Sequence, residues 1–143
     1  MDAAVTALFR RYEQMFAQAL AGRVSMDELA TLYAPEFIAS TPAGVVCGRN
    51  DAQLRDRMAE GYAHYRAIGT AAMRIRDLRL SPIDALHCIA HVGWTATYAR
   101  DDLPETYIDF DVHYLVRLAG GEARVFGWVS GDEQALLRRH GVI

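Results

Sequence analysis

The segment Thr106–Leu118, TYIDFDVHYLVRL, places Ile108, Phe110, Val112, Tyr114, Val116 and Leu118 on one parity and Tyr107, Asp109, Asp111, His113 and Arg117 on the other. Strand side chains alternate sides with a period of two, so this is a long strand with one dry face and one polar face. Such a strand needs neighbours and a cover for its dry side. The chain is thereby confined to folds in which a sheet buries one face and leaves the other to solvent or to a partner.

With 143 residues, 52% of them hydrophobic and 23% charged, the chain can bury one sizeable core, and a single domain spanning 1–143 is expected. Fifteen basic residues, all arginine, against eighteen acidic ones leave a net charge of -3, so no basic field draws nucleic acid or an anionic membrane. No run approaches the roughly 18 apolar residues of a membrane span. The opening MDAAVTALFRRYEQ lacks a signal peptide's charged-then-apolar layout. Cys47 and Cys88 show no CxxC and no metal-type spacing, and read as small buried apolar groups in a reducing cytoplasm.

Helices come first. Val5, Leu8, Phe9, Tyr12, Met15, Phe16, Ala19 and Leu20 recur at helical spacing up to Gly22, and Ser25 with Glu28 forms a capping box for a short second helix that Pro35 ends. Two extended pieces flank Thr41–Gly44, and Asn50 is expected to cap a third helix carrying Leu54, Met58, Tyr62, Tyr65 and Ile68. From Ala71 to Ser130 the pattern is extended, with reversals at Ser81–Asp84, Asp101–Pro104 and Gly120–Gly121. A last short helix follows, opened by a possible capping box of Ser130 and Glu133.

This order predicts an α+β domain in which a curved, mixed, mostly antiparallel sheet wraps around N-terminal helices. Pairing through Gly120–Gly121 sets Val116 opposite Val125, Leu115 opposite Phe126 and His113 opposite Trp128, while folding back through the Asp101 loop sets Trp94 and Val92 on the same face as Val112 and Tyr114. The even-numbered face is then the covered one. A one-residue bulge at Gly93, Gly127 or Gly131 would swap the faces locally.

The stretch YAPEFIASTPAGVVCGRNDAQLRDRM after two helices, with the ending VRLAGGEARVFGWVSGDEQALLRRHGVI, resembles the nuclear-transport-factor-2-like cone fold and, within it, the SnoaL-like branch. That resemblance implies a cone-shaped α+β barrel with a pocket between the helices and the concave sheet face. Members include ketosteroid isomerases, polyketide cyclases, epoxide hydrolases, dehydratases and noncatalytic domains, so the fold does not set the activity. Tyr12 matches the position of the steroid isomerases' oxyanion-hole tyrosine, and Tyr114 falls near their protonated aspartate. Ser40 stands by the place of their general base, which argues against steroid isomerisation. The cyclases and epoxide hydrolases resemble this chain in having an acid at the position of Asp132, although the latter's Arg-x-Asp pair is missing.

Catalytic expectations therefore fall on Asp132, Tyr12 and Tyr114, with Phe16, Tyr33, Ser40, Tyr62, Trp94, Tyr98 and Val112 as substrate-binding wall. For Asp132 the competing reading is an acid favoured by the dipole of the last helix, and for the tyrosines it is ordinary core packing. Asp109, Asp111 and His113, with His91 alongside, alternate as metal ligands would, but a polar convex face or a homodimer surface built from Asp111, His113, Leu115, Phe126 and Trp128 is preferred, and no metal or cofactor is expected. Two functional classes remain: an acid/base enzyme of isomerase, cyclase, dehydratase or hydrolase type acting on a hydrophobic small molecule, or a noncatalytic dimeric binding domain whose pocket is filled by rings.

Overall fold

The stripe of apolar residues in the first helix settles where it lies. In the computed structural model, which describes residues 1–143, α1 (Asp2–Leu20) buries Val5, Leu8, Phe9, Phe16 and Ala19 against the sheet. The element order then runs α2 (Met26–Ala30), β1 (Tyr33–Thr41), β2 (Gly44–Arg49), α3 (Ala52–Ala67), β3 (Thr70–Pro82), β4 (His87–Arg100), β5 (Leu103–Ala119), β6 (Glu122–Ser130) and α4 (Glu133–Arg139). The six strands form one sheet in the order β2-β1-β6-β5-β4-β3, with β1 and β6 parallel and all other pairs antiparallel. It is the expected α+β architecture, with one hydrophobic core between α1 and the concave face.

Local chemistry explains the boundaries. Ser25 accepts the N–H of Glu28 at 3.2 Å and caps α2 as its capping box predicts. Gly120 and Gly121 both adopt positive φ, 58° and 80°, which suits the tight turn between β5 and β6. Two caps differ from expectation. Asp51, not Asn50, caps α3 by accepting from Leu54 N, because the Asn50 amide is turned inward to donate to the carbonyls of Ala30 and Tyr33. Asp132, not Ser130, caps α4 by accepting from Ala135 N. Both cysteines are free; Cys88 is buried, but Cys47 is exposed because β2 is an edge strand with no cover on either side.

Registers decide which residues share a face. Along β4 and β5 the pairs are Ala96–Ile108, Trp94–Phe110, Val92–Val112 and Ala90–Tyr114, two residues from the expected alignment, because the reversal needs only Asp101 and Asp102 and the strand begins at Leu103. A shift of two preserves the faces. Between β5 and β6 the expected Val116–Val125 pair holds, but a bulge after it aligns Leu115 with Gly127 and Tyr114 with Trp128. Trp128 therefore moves from the expected outer face to the concave one, a correction caused by the single extra residue in β6. Val129 takes the outer position opposite His113 and is 50% exposed.

A second bulge, at Arg76 in β3, swaps parity in the same way: Met73 and Ile75 face inward before it, Leu78 and Leu80 after it. The amide of Ile75 at this break is taken by the Glu13 carboxylate of α1. On the convex side the Arg76 guanidinium spreads over Gly93, donating to Trp94 O at 2.8 Å and to Asp111 at 3.0 Å, with Asp109 at 3.5 Å. Asp109 and Asp111 thus belong to a polar outer network, as their parity requires.

At Gly127 a Cβ would meet the Ile38 carbonyl oxygen at 2.8 Å and the Leu115 side chain at 3.0 Å. Backbone cannot yield there as a flexible side chain would. Gly127→Ala is expected to lower unfolding stability by about 1–3 kcal/mol, the usual cost of overpacking, read as an earlier midpoint in urea; an unchanged midpoint would mean the bulge has room to spare.

Candidate functional site

A cavity of about 560 Å³ lies between α1, the concave face and α4. Three layers of sequence logic converge on it. Tyr12 and Phe16 come from the buried stripe of α1; Trp94, Val112 and Tyr114 come from the inward parity of β4 and β5; Trp128 arrives through the β6 bulge. Tyr33 closes one end and Tyr65 of α3 another. The strand β5 outruns β6, whose last paired residue is Ser130 opposite Val112, and the mouth opens beside that overhang at Asp109, Phe110 and Asp111.

The rings pack in tilted and edge-on contacts, with Tyr12 centred 5.7 Å from both Trp94 and Tyr114 and 6.2 Å from Tyr33. Their polar atoms line up. Trp94 Nε1–H donates to the Tyr114 hydroxyl at 3.1 Å, the Tyr12 and Tyr33 hydroxyls lie 2.9 Å apart, and the Tyr114 ring packs edge-on against Tyr12 between these two pairs. An indole N–H only donates, whereas each phenol brings one hydrogen and can also accept. Four hydrogens thus face at most three internal contacts. At least one phenol O–H is left for a ligand, whichever way the chain is oriented.

Burial raises all three phenols, Tyr33 and Tyr114 well above the ordinary value; for Tyr12 the hydrogen bonds from its two neighbours oppose the rise. The cluster is therefore a neutral donor set at physiological pH. Its aromatic bulk also carries stability, since Trp94 is 2% and Tyr114 5% exposed.

The mouth carries charge on α4. Asp132 lines the cavity, is exposed, and spends one oxygen on Ala135 N at 2.9 Å as the helix cap, leaving the other free. Glu133, next in sequence, is the carboxyl whose ionisation the surroundings disfavour: although the residue as a whole is exposed, loss of water around its carboxyl raises it, with nearby His64 pulling the other way. Tyr65 and Tyr98 lie close enough to feel its charge. Arg139, in the last turn of α4, also lines the cavity.

Of the residues expected at the site, Tyr12, Phe16, Tyr33, Trp94, Val112, Tyr114 and Asp132 come together around the cavity. Ser40, Tyr62 and Tyr98 do not line it. Ser40 pairs with Val129 and shares the outer parity, because Ala39 is the β1 residue beside Trp128. Tyr62 is turned into a layer with Phe16 and Tyr65, at 5.1 and 5.9 Å. Tyr98 is fully buried behind the wall, where burial and Glu133 push its phenol up to about 12. Trp128, Tyr65 and Glu133 were not anticipated; the only sequence signal was Gly127 for the first, helical spacing for the second, and adjacency to Asp132 for the third. Nowhere do three or more His, Cys, Asp or Glu side chains converge to hold a metal ion.

The family described as NTF2-like protein (DUF6841) matches residues 2–133. The chain belongs to this NTF2-like family. Solved structures agree on the fold: an NTF-2 like protein of unknown function from Shewanella oneidensis superposes with a TM-score of 0.67 at 10% identity, covering 92% of this chain and 98% of that one. A candidate scytalone dehydratase from Novosphingobium aromaticivorans gives 0.66 at 12%, over 89% and 80%. Aln2 from a Streptomyces species gives 0.64 at 13%, over 96% and 94%. At these identities the likeness extends to the fold alone. None of the curated proteins compared matches the chain. No helix of this NTF2-like chain is long and apolar enough to cross a membrane.

The raised Glu133 carboxyl has a measurable consequence. Well below the ordinary glutamate value both folded and unfolded chains hold the proton, so the group is neutral to stability; above it, ionisation is harder in the folded chain, and the penalty grows until pH passes the raised folded value. Glu133→Gln is therefore expected to raise Tm at pH 8 relative to the parent chain and to leave it unchanged at acid pH. A gain of equal size at both ends would rule out desolvation of the carboxylate as its source.

Proposed function

We propose that this NTF2-like chain binds a hydrophobic small molecule bearing a hydrogen-bond acceptor, and performs acid/base chemistry of the isomerase, cyclase, dehydratase or hydrolase type on it. The observation that carries this reading is a cavity of about 560 Å³ walled by three phenols and an indole, whose four hydrogens outnumber the contacts among them. A surplus of donors over acceptors on an apolar wall favours ligands with a carbonyl or ether oxygen, because such a ligand supplies the missing acceptor. Tyr12, Tyr33 and Tyr114 act as the donor set for developing negative charge. Glu133 and the free oxygen of Asp132 serve as proton carriers at the mouth. That one structure of the same fold bears the name scytalone dehydratase, as a candidate, is compatible with this class of chemistry without defining a substrate.

Both tryptophans of the chain line the cavity, so intrinsic fluorescence, corrected for probe absorption, responds to its occupancy. With 2-acetylnaphthalene and 2-ethylnaphthalene as probes, both are expected to perturb the fluorescence. The ketone should bind about 2- to 12-fold more tightly, the worth of one net hydrogen bond, and Tyr33→Phe should narrow that gap. In D2O the bound ketone's methyl hydrogens are expected to exchange faster than in buffer, and less so in Glu133→Gln. Absence of any fluorescence response ends the proposal, while binding without exchange favours the noncatalytic alternative.

The homodimer reading is favoured by exposed apolar side chains on the convex face. Ile38, Val45 and Val129 are 40%, 62% and 50% exposed, next to Leu115 and Phe126 and bordered by Asp111 and His113; Trp128 no longer belongs to this surface. If the convex face pairs two chains, light scattering should give twice the chain mass for the parent and the single mass for Val129→Asp. A parent monomer would rule the dimer out.

A further inference from the structure

On the convex face, away from the cavity, His91 of β4 and His113 of β5 sit directly opposite each other across the antiparallel ladder. Their Nδ1 atoms are 2.7 Å apart and their rings meet edge-on at 4.9 Å. Two imidazole Nδ1 atoms can approach so closely only by sharing one hydrogen, one ring donating and the other accepting. Two lone-pair directions therefore converge on a single point. Ser81 of β3 fixes the first ring from behind, with Oγ 2.8 Å from His91 Nε2.

We propose that His91 and His113 form a two-imidazole chelate for a first-row divalent transition-metal ion, which takes the place of the shared hydrogen. Metal–nitrogen bonds of about 2.0–2.1 Å at a tetrahedral angle set the two nitrogens about 3.4 Å apart. The rings must open by well under 1 Å, within the reach of small side-chain rotations at positions that are half-buried for His91 and exposed for His113.

The proton balance closes without an acid or base from outside. With the Nε2–H of His91 donating to Ser81 Oγ, its Nδ1 lone pair is free; the hydrogen on His113 Nδ1 leaves for its solvent-facing Nε2, and both rings remain neutral. Ser81 then acts as the outer partner that holds a metal-bound imidazole in one tautomer and orientation. Loss of water, then Arg79 and His113, hold His91 below the ordinary histidine value, and Arg79, its cross-strand neighbour, opposes a cation. Asp111, on the same face as His113, is already bound by Arg76 at 3.0 Å and contributes field rather than a ligand. Two protein nitrogens leave the remaining positions to water, so binding is exchangeable and follows the order of intrinsic affinity for nitrogen donors, Cu²⁺ above Ni²⁺ and Zn²⁺, with Mg²⁺ and Ca²⁺ excluded by their preference for oxygen.

The test is calorimetric titration of the chelator-treated full chain with Cu²⁺, Ni²⁺, Zn²⁺ and Mg²⁺. One Cu²⁺ per chain is expected, with Zn²⁺ weaker and no heat from Mg²⁺. His91→Ala and His113→Ala should each weaken Cu²⁺ binding at least tenfold, whereas His87→Ala, whose ring is held by Asp84 at 2.8 Å, should not. Because Zn²⁺ is diamagnetic, the imidazole resonances of His91 and His113 should be the first to move in its NMR titration, which separates the site from any loss of folding in the variants. No heat with any transition ion, or binding that survives both substitutions, overturns the proposal.

Discussion

Strict alternation along a strand is the constraint on which this molecule turns, and among the breaks in it the two in β3 and β6 described above decide which side chains face the cavity. A flat sheet with unbroken parity would keep the same side inward from end to end; one extra residue at Arg76 and one at Phe126 reverse parity in β3 and β6. Each break also bends its strand. The sheet can then curl around α1 while both halves of the bulged strands still send apolar side chains toward Phe9 and Phe16. At Arg76 the amide exposed by the break is recovered by Glu13, so the curl is fastened to the helix it surrounds.

That same constraint explains what could be read in advance. The parity of β5, the stripe of α1 and the glycine turn at Gly120–Gly121 depend on side chains a few residues apart, and the structure places them as their spacing dictates. Trp128 is different. Its face depends on whether β6 slips by one residue, and Gly127 signals that a slip is sterically affordable without saying that it occurs. The β4–β5 register escaped for a related reason: the length of a turn changes pairing but not parity, so the faces were legible where the partners were not.

At the site the legible part is the ring cluster and the illegible part is the division of labour among acids. Asp132 and Glu133 are neighbours at a helix start, where the dipole favours any carboxylate. Only three-dimensional placement distinguishes them: one spends an oxygen on the helix cap, the other is partly stripped of water beside Tyr65 and Tyr98. The phenol chain shows a similar division. Trp94 is satisfied by the Tyr114 oxygen and stiffens the core with it, and the surplus donor is a by-product of assembling donor-rich side chains with too few acceptors.

The wall that bounds the cavity mouth is a helix of only seven residues. A helix so short has little stability of its own. It is anchored by Leu137 and Val142, each 2% exposed, and by Arg100, which donates to the carbonyls of Ile68 and Val142 and is itself steadied by Asp102. One guanidinium therefore joins the end of α3, the β4–β5 reversal and the chain's last residues, 42 positions away. The position of the α4 wall beside the cavity is accordingly tied, through one arginine, to a chain reversal that contributes no residue to the aromatic lining.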